Sequence, residues 1–186
     1  MLEIGPHGSR VRRNTTLQET PQEYTQRMLS QTGGKNALKV QAATAAKLGR
    51  LIQRASSAKL RKRPAPGKWS AGEILAHLSD CEIVTGWRMR QILGAPGTPI
   101  QAFDQDAWAA AGHYEKRDAR KSLEQFRAAR EANLALLKSL TPAQWKHHGM
   151  HAERGVETIE HITCMMAGHD LNHLGQVERI VAPQKS

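Results

Sequence analysis

Residues 158–181 carry apolar side chains at helical spacing, and two histidines lie on the same side of that pattern. The apolar positions are Ile159, Ile162, Met166, Val177 and Ile180. His169 and His173 are four positions apart, so on a helix they lie one turn apart on one face. Because an unpaired imidazole is costly in a core, each needs a hydrogen-bond partner or a metal ion. The segment therefore predicts a buried helix with two inward-facing histidines.

Three further segments show helical periodicity, and two of them begin with a capping signal. The Thr20–Glu23 and Ser70–Glu73 stretches each place a hydroxyl residue three positions before a glutamate, which is a capping box. The segments cover residues 20–54 with a break at Gly33–Gly34, 70–93 and 118–140. Together with the last helix they predict an all-α fold, a four-helix bundle with long crossover connections.

The segments between the helices differ in character. We expect the polar residues 1–19 to form a disordered basic leader, followed by a single domain over residues 20–186. Residues 98–117 form a long connection with a short helix at 104–111, and such connections are often functional. No alternating strand pattern is evident, so we expect residues 146–157, which contain two glycines, to form a loop.

A third histidine, His77, lies on the apolar stripe of the segment 70–93. Three neutral imidazoles suit zinc, nickel, copper or iron(II), and they leave coordination positions open, as in catalytic rather than structural sites. We therefore predict a metal site formed by His77, His169 and His173. Cys81, one turn after His77, is either a fourth ligand or a small core residue. Asp80 and Asp170 are candidates for orienting the histidines through their other ring nitrogens.

Two arginines also fall on inward stripes, Arg88 and Arg130. A buried arginine needs an acidic partner or an anion, so either residue could form an ion pair with Asp104 or Asp106, or could bind substrate. The stretch 147–153 could close over the site with His151 as a proton-transfer group, or it could be an exposed polar loop.

The excess of positive charge lies in the first third of the chain. Residues 1–68 hold 14 basic and 3 acidic residues, whereas residues 69–186 hold 13 and 14. Such a distribution suits either a nucleic-acid partner or a solvated leader and helix end, but no aromatic residue is interleaved with the basic run as in single-strand binders. No apolar run reaches membrane-spanning length. The two cysteines lie within apolar helical patterns, which is typical of a cytoplasmic protein.

Several of these stretches resemble the DinB-like superfamily. The resemblance covers about residues 20–181, and its motifs lie between residues 67 and 176. Its residues are Gly67–Lys68–Trp69–Ser70 with Glu73, Leu75, His77, Leu78, Asp80 and Glu82, then Phe103–Trp108, Arg130, Asn133–Leu134, Trp145, Gly149, His151, Gly155 and Ala167–Gln176.

The resemblance implies a four-helix bundle, commonly a homodimer, with a divalent metal held by His77, His169 and His173. Members of the superfamily include S-transferases and an isomerase that use bacillithiol, mycothiol or glutathione, and others are described as metal-dependent hydrolases. Our first hypothesis is therefore a thiol S-transferase with zinc or nickel, a low-molecular-weight thiol and a small electrophilic substrate. Its candidate catalytic residues are His151, Asp104 and Arg130, and Arg88 is the candidate cofactor-binding residue.

Two alternatives remain open. A metal-dependent hydrolase could use Asp80, Asp104 or His151 as its base. A nucleic-acid-associated protein with a structural metal would act through the basic first third, although we do not expect a nucleic-acid partner.

Overall fold

The computed structural model describes residues 19–183, which form eight α-helices and a small sheet. The helices are α1 (Pro21–Gln31), α2 (Ala37–Ile52), α3 (Ser57–Arg61), α4 (Ala71–Gly94), α5 (Gln105–Ala111), α6 (Ala119–Lys138), α7 (Pro142–Trp145) and α8 (Ile159–Val181). The strands are β1 (Pro99–Ile100), β2 (His148–His151) and β3 (Gly155–Thr158), and a 3-10 turn spans Tyr114–Lys116. Most of the predicted leader, residues 1–18, lies outside the described residues.

The four long helices α2, α4, α6 and α8 form a bundle, in which α4 packs mainly on α6 and α2 mainly on α8. The core between them is built from fully buried apolar side chains such as Leu48, Leu75, Phe126 and Val177. The prediction of a predominantly helical four-helix bundle is confirmed. No helix within residues 19–183 combines the length and apolarity that a membrane crossing requires.

The helix starts follow from side-chain caps. Thr20 and Ser70 accept hydrogen bonds from the amides of Glu23 and Glu73, and each glutamate side chain accepts in return from the cap amide. These reciprocal bonds satisfy amide groups that would otherwise have no partner at the helix end. They set the first residues of α1 and α4 close to the predicted positions.

The first helix packs closely on the last one. Gly168 of α8 lies against the backbone of Met28 in α1, and a methyl group added at Gly168 would overlap the carbonyl oxygen of Met28. A side chain at position 168 would therefore prevent α1 from lying against α8 in this way.

The prediction of a loop over residues 146–157 is wrong, because β2 and β3 form an antiparallel hairpin there and β1 pairs in parallel with β2. The inward positions of the hairpin are Gly149, His151 and Glu157, which are buried. Because these inward residues are small or polar, the strands lack the alternation of apolar and polar residues that identifies a half-buried strand.

Candidate metal centre

Two helices place three histidines in the interior of the bundle. His77 lies in the second turn of α4, His169 lies near the middle of α8, and His173 lies one turn later. Their exposed fractions are 2%, 4% and 7%. The apolar periodicity of both helices accounts for this burial, as the sequence predicted.

The Nε2 atoms of the three imidazoles converge. Nε2 of His169 lies 3.0 Å from Nε2 of His77 and 3.1 Å from Nε2 of His173. One ligand atom from each of the three rings can be chosen so that all three lie within 4.8 Å of one another. For comparison, two imidazole nitrogens bound to one tetrahedral zinc at about 2.0–2.1 Å are separated by about 3.3 Å.

The protonation of the three rings suits a cation. Nδ1 of His173 lies 2.8 Å from Oε1 of Gln176, an acceptor, so the proton of the neutral ring is on Nδ1 and Nε2 carries a lone pair. Burial lowers the pKa of His77 to about 3 and that of His173 to about 4, and it lowers the pKa of His169 well below its usual value. All three rings are therefore neutral at pH 7, as metal ligands must be.

Nδ1 of His169 is buried and has no hydrogen-bond partner within residues 19–183. Three nitrogens with lone pairs and little room between them repel one another unless a cation or a shared proton lies there. This set of donors fits a divalent ion of the zinc and nickel type, which the group could hold.

Cys81 borders the centre. Its Sγ lies 3.5 Å from Nε2 and 3.6 Å from Nδ1 of His77. Burial raises the pKa of the Cys81 thiol, so the sulfur is protonated and acts as a small core group unless a cation displaces its proton. Both sequence alternatives, fourth ligand and core residue, remain compatible with this position.

A cavity of about 690 Å³ opens beside the centre. His173 and Gln176 of α8, Tyr24 of α1 and Trp69 contribute to its wall, and the ring of Trp69 lies 4.8 Å from that of His77. This volume is in the range of small-molecule sites. A ligand in the cavity would therefore lie against His173.

Arg130 does not face this cavity. Its Nη1 donates to Oδ2 of Asp170 at 2.5 Å, and its Nη2 lies 2.8 Å from Oε2 of Glu82. All three side chains are at least 96% buried, and Asn133 also donates to Glu82. The prediction that Asp104 or Asp106 pairs with Arg130 is therefore wrong, because helix packing brings Glu82 and Asp170 to Arg130 instead. The buried network gives Arg130 a structural role. The predicted catalytic role of Arg130 stays a prediction.

The two aspartates predicted to orient the histidines are engaged elsewhere. Asp170 binds Arg130, and Asp80 accepts from the Tyr114 hydroxyl at 2.7 Å and from Arg117 at 2.9 Å. Gln176 orients His173 instead. Its position three residues after His173 on the same helix was the signal that could have identified it.

Asp104 caps a helix and does not contact the histidines. Its carboxylate accepts from the amides of Asp106 and Ala107 at the start of α5, and its side chain is exposed. This contact accounts for the aspartate without a catalytic role, which stays a prediction. Asp106, its neighbour, is the carboxylate that lines the cavity.

Arg88 and His151 belong to two elements that meet at the small sheet, α4 and β2. Arg88 is half-buried two turns after Cys81 on α4, and its Nη2 donates to the carbonyl of Gln101 at 2.5 Å. His151 is 3% exposed on the inward face of β2. The structure thus places His151 inside the protein and not in an exposed polar loop.

The basic run after α3 lies at the surface. Arg63 forms an ion pair with Glu73 at the start of α4, and Lys59, Lys62 and Arg63 border a shallow pocket with Arg179. A nucleic-acid partner for this surface stays an untested alternative.

Comparison with known proteins agrees with this architecture. A family model described as the DinB superfamily matches residues 42–177, which include all three histidines. A solved structure of YfiT from Bacillus subtilis, described as a probable metal-dependent hydrolase with an unusual four-helix bundle topology, superposes with a TM-score of 0.67. It is 23% identical, and the match covers 77% of this chain and 84% of that chain.

Two curated relatives carry the name "Putative metal-dependent hydrolase". BH0277 from Halalkalibacterium halodurans is 24% identical over 126 residues, which is 68% of this chain and 73% of the relative. YfiT from Bacillus subtilis is 22% identical over 136 residues, which is 73% of this chain and 76% of the relative.

Proposed function

The chain belongs to the DinB superfamily, and on that basis we propose that it is a metal-dependent enzyme acting on a small molecule. His77, His169 and His173 would bind a divalent cation, and the substrate would occupy the adjacent cavity. The observation that carries the proposal is the convergence of three buried Nε2 atoms at the wall of a cavity of about 690 Å³. The names of the relatives support metal dependence.

We propose thiol S-transfer as the reaction, with a low-molecular-weight thiol as co-substrate and zinc or nickel as the ion. A divalent cation at this centre would supply Lewis acidity, which lowers the pKa of a coordinated thiol or water. The carboxylates closest to the histidines along the chain, Asp80 and Asp170, are bound to Arg117 and Arg130. Neither carboxylate can act as a base without giving up its ion pair, and thiol S-transfer does not require one of them.

Within this proposal the chain's own residues have distinct tasks. Gln176 holds the His173 ring with its Nε2 lone pair toward the other two histidines. Trp69 packs against His77 and, with Tyr24, forms an aromatic part of the cavity wall that can pack on an apolar substrate.

Hydrolysis is the second candidate. Asp106 lines the cavity, so it could accept a proton from an attacking water, and the names of the relatives favour this reaction.

The test is metal analysis of the purified wild type and His173→Ala proteins, followed by two assays. We expect one equivalent of metal in the wild type, a large loss in the variant, and consumption of monochlorobimane only when glutathione, bacillithiol or mycothiol is present. Metal-dependent cleavage of p-nitrophenyl acetate without any thiol, and no conjugation, would favour the hydrolase. A wild-type protein that does not bind zinc or nickel stoichiometrically would overturn both.

A homodimer and a cytoplasmic location also remain proposals. Ile83 and Trp87, one turn apart on α4, are 61% and 63% exposed, which is compatible with a self-association surface. Sedimentation equilibrium of the full chain would measure the oligomeric state.

A further inference from the structure

The imidazole of His151 has an unusual hydrogen-bond arrangement. Its Nδ1 lies 3.2 Å from the amide nitrogen of Glu153 and 3.3 Å from that of Arg154, and both amides donate to it. Nδ1 is therefore an acceptor and carries no proton. In the neutral ring the proton must be on Nε2.

The Nε2–H group of His151 is a buried donor without an acceptor within residues 19–183. Burial, together with the positive charge of Arg154, lowers the pKa of His151, so the ring is neutral at pH 7. A buried donor with no partner is unfavourable, because it has lost its hydration without gaining another hydrogen bond. The arrangement is therefore more favourable when an acceptor from outside the chain reaches Nε2.

Arg88 reaches the end of β1, the strand that pairs with β2. The sheet register pairs His151 with Ile100, and the guanidinium of Arg88 donates to the carbonyl of the following residue, Gln101. The charge of Arg88 is close enough to contribute to the lowered pKa of His151. Arg88 therefore contacts the backbone one residue after Ile100, which lies opposite His151 in the sheet.

Four charged groups act on His151, namely Arg88 and Arg154, which are positive, and Glu153 and Glu157, which are negative. Glu153 is exposed to solvent. Arg154 and Glu157 neutralise each other through a 2.7 Å ion pair. Arg88 packs over the ring of Phe103, 5.5 Å from its centroid, and no carboxylate within residues 19–183 lies at ion-pair distance from it. Burial and the charge of Arg154 lower the pKa of Arg88, whereas Glu157 raises it. An anion bound to the guanidinium would favour its charged form.

We propose that His151 and Arg88 form a subsite for an anionic oxygen group of the substrate, a carboxylate or a phosphate, with His151 donating through Nε2–H and Arg88 supplying the charge. The inference rests on the proposed function, since it assigns a substrate class to the same region of the protein. The subsite lies on the stripe of α4 that also carries His77 and Cys81.

This assignment changes the role expected for His151. A base needs a lone pair on the nitrogen that faces the substrate, and here that nitrogen carries the proton. Moving the proton to Nδ1 would break both amide hydrogen bonds. His151 is therefore a substrate-binding donor and not the proton acceptor of the reaction.

The test is ¹⁵N-histidine NMR on the full chain as purified, with inorganic phosphate and acetate as the two probes. His151→Gln assigns the resonance, and His148, on the outward face of the same strand, is the internal control. We expect a protonated Nε2 before addition and a saturable shift of the His151 Nε2–H signal with phosphate, acetate or both, while His148 stays unchanged. The probe that binds more tightly distinguishes phosphate from carboxylate as the natural group.

Arg88→Gln should weaken the binding of the effective probe at least ten-fold, while Arg50→Gln, at an exposed position of α2, should not change it. A proton on Nδ1, no shift with either probe, or an Arg88→Gln protein that binds like the wild type would overturn the proposal.

A chelator-treated wild-type sample separates this inference from the proposed function. The His151 shift should persist after metal removal, because neither residue is a metal ligand, and it should persist even if the protein proves to bind no metal. A shift that disappears with the metal would show that the ion held the anion, and it would overturn the subsite.

Discussion

Nε2 of His77 on α4 and Nε2 of His169 on α8 lie 3.0 Å apart, although 92 positions of chain separate the two residues. A cation bound to both would connect the two helices directly. We expect the wild type to retain about one equivalent of zinc or nickel, and His169→Ala to lose at least 90% of it, measured by plasma mass spectrometry. His161→Ala, on the outer side of the same helix, should retain the metal; equal loss in both variants would contradict the assignment.

The acid stability of the metal-free protein should depend on these histidines. Burial lowers the pKa of His77 to about 3 and that of His173 to about 4, so between pH 6.5 and these values the unfolded chain binds protons that the folded chain does not. The free energy of unfolding should therefore fall as pH is lowered through this window, by about 1.4 kcal/mol per pH unit for each histidine. Urea titrations of chelated protein at several pH values measure the slope.

His77→Gln should reduce that slope, and His113→Gln, at an exposed position, should leave it unchanged. A slope that is the same in the His77→Gln and wild-type proteins would show that His77 does not carry this pH dependence.

Gln176→Leu should weaken metal binding by about 10–100-fold, because the His173 ring loses the acceptor that keeps its proton on Nδ1. Competition with a chromophoric chelator measures the affinity. Gln26→Leu, on an exposed position of α1, is the matched control. Unchanged affinity in Gln176→Leu would mean that the ring is positioned by packing alone.

Arg130→Met should lower the free energy of unfolding by about 3–5 kcal/mol, since it leaves the carboxylates of Glu82 and Asp170 buried without their cation. Arg127→Met, at an exposed position one turn earlier on α6, should change stability by less than about 0.5 kcal/mol. Denaturant unfolding of the two variants compares them. Equal stability would indicate that the buried network is not a major contributor.

Gly168→Ala should destabilise the protein, because its methyl group overlaps the carbonyl of Met28 and α1 must move away from α8. Gly175→Ala on the same helix meets only the flexible end of Arg179, so it should be neutral or stabilising by up to about 1 kcal/mol through helix propensity. Thermal unfolding monitored by circular dichroism compares the two variants. Equal melting temperatures would contradict the close packing of α1 on Gly168.

Local signals in the sequence were sufficient for the four long helices of the bundle and for the three histidines. Capping boxes at Thr20 and Ser70 set helix starts, and the apolar stripes of α4 and α8 required His77, His169 and His173 to be inside. Because the apolar stripe of each helix faces the core, a histidine on that stripe points inward. The position of the metal centre therefore followed from the periodicity of α4 and α8.

The hairpin and the ion pairs depend on contacts between distant segments. The inward positions of the hairpin, Gly149 and His151, have no apolar side chain, and they are buried because Gly149 packs against Ile92 and Ile100. The partners of Arg130 come from two other helices, and their register relative to α6 is set by core packing. Single-segment patterns contain no information on such register.

The glycine at position 168 of α8 has a consequence for access to the metal centre. Tyr24 and Arg27, which border the cavity, belong to the helix that this glycine allows against α8. Bulk introduced there would displace one wall of the entrance while leaving the histidines in place. Relatives with a larger residue at the equivalent position should therefore admit wider substrates, so a position that contributes no side chain to the cavity would tune selectivity.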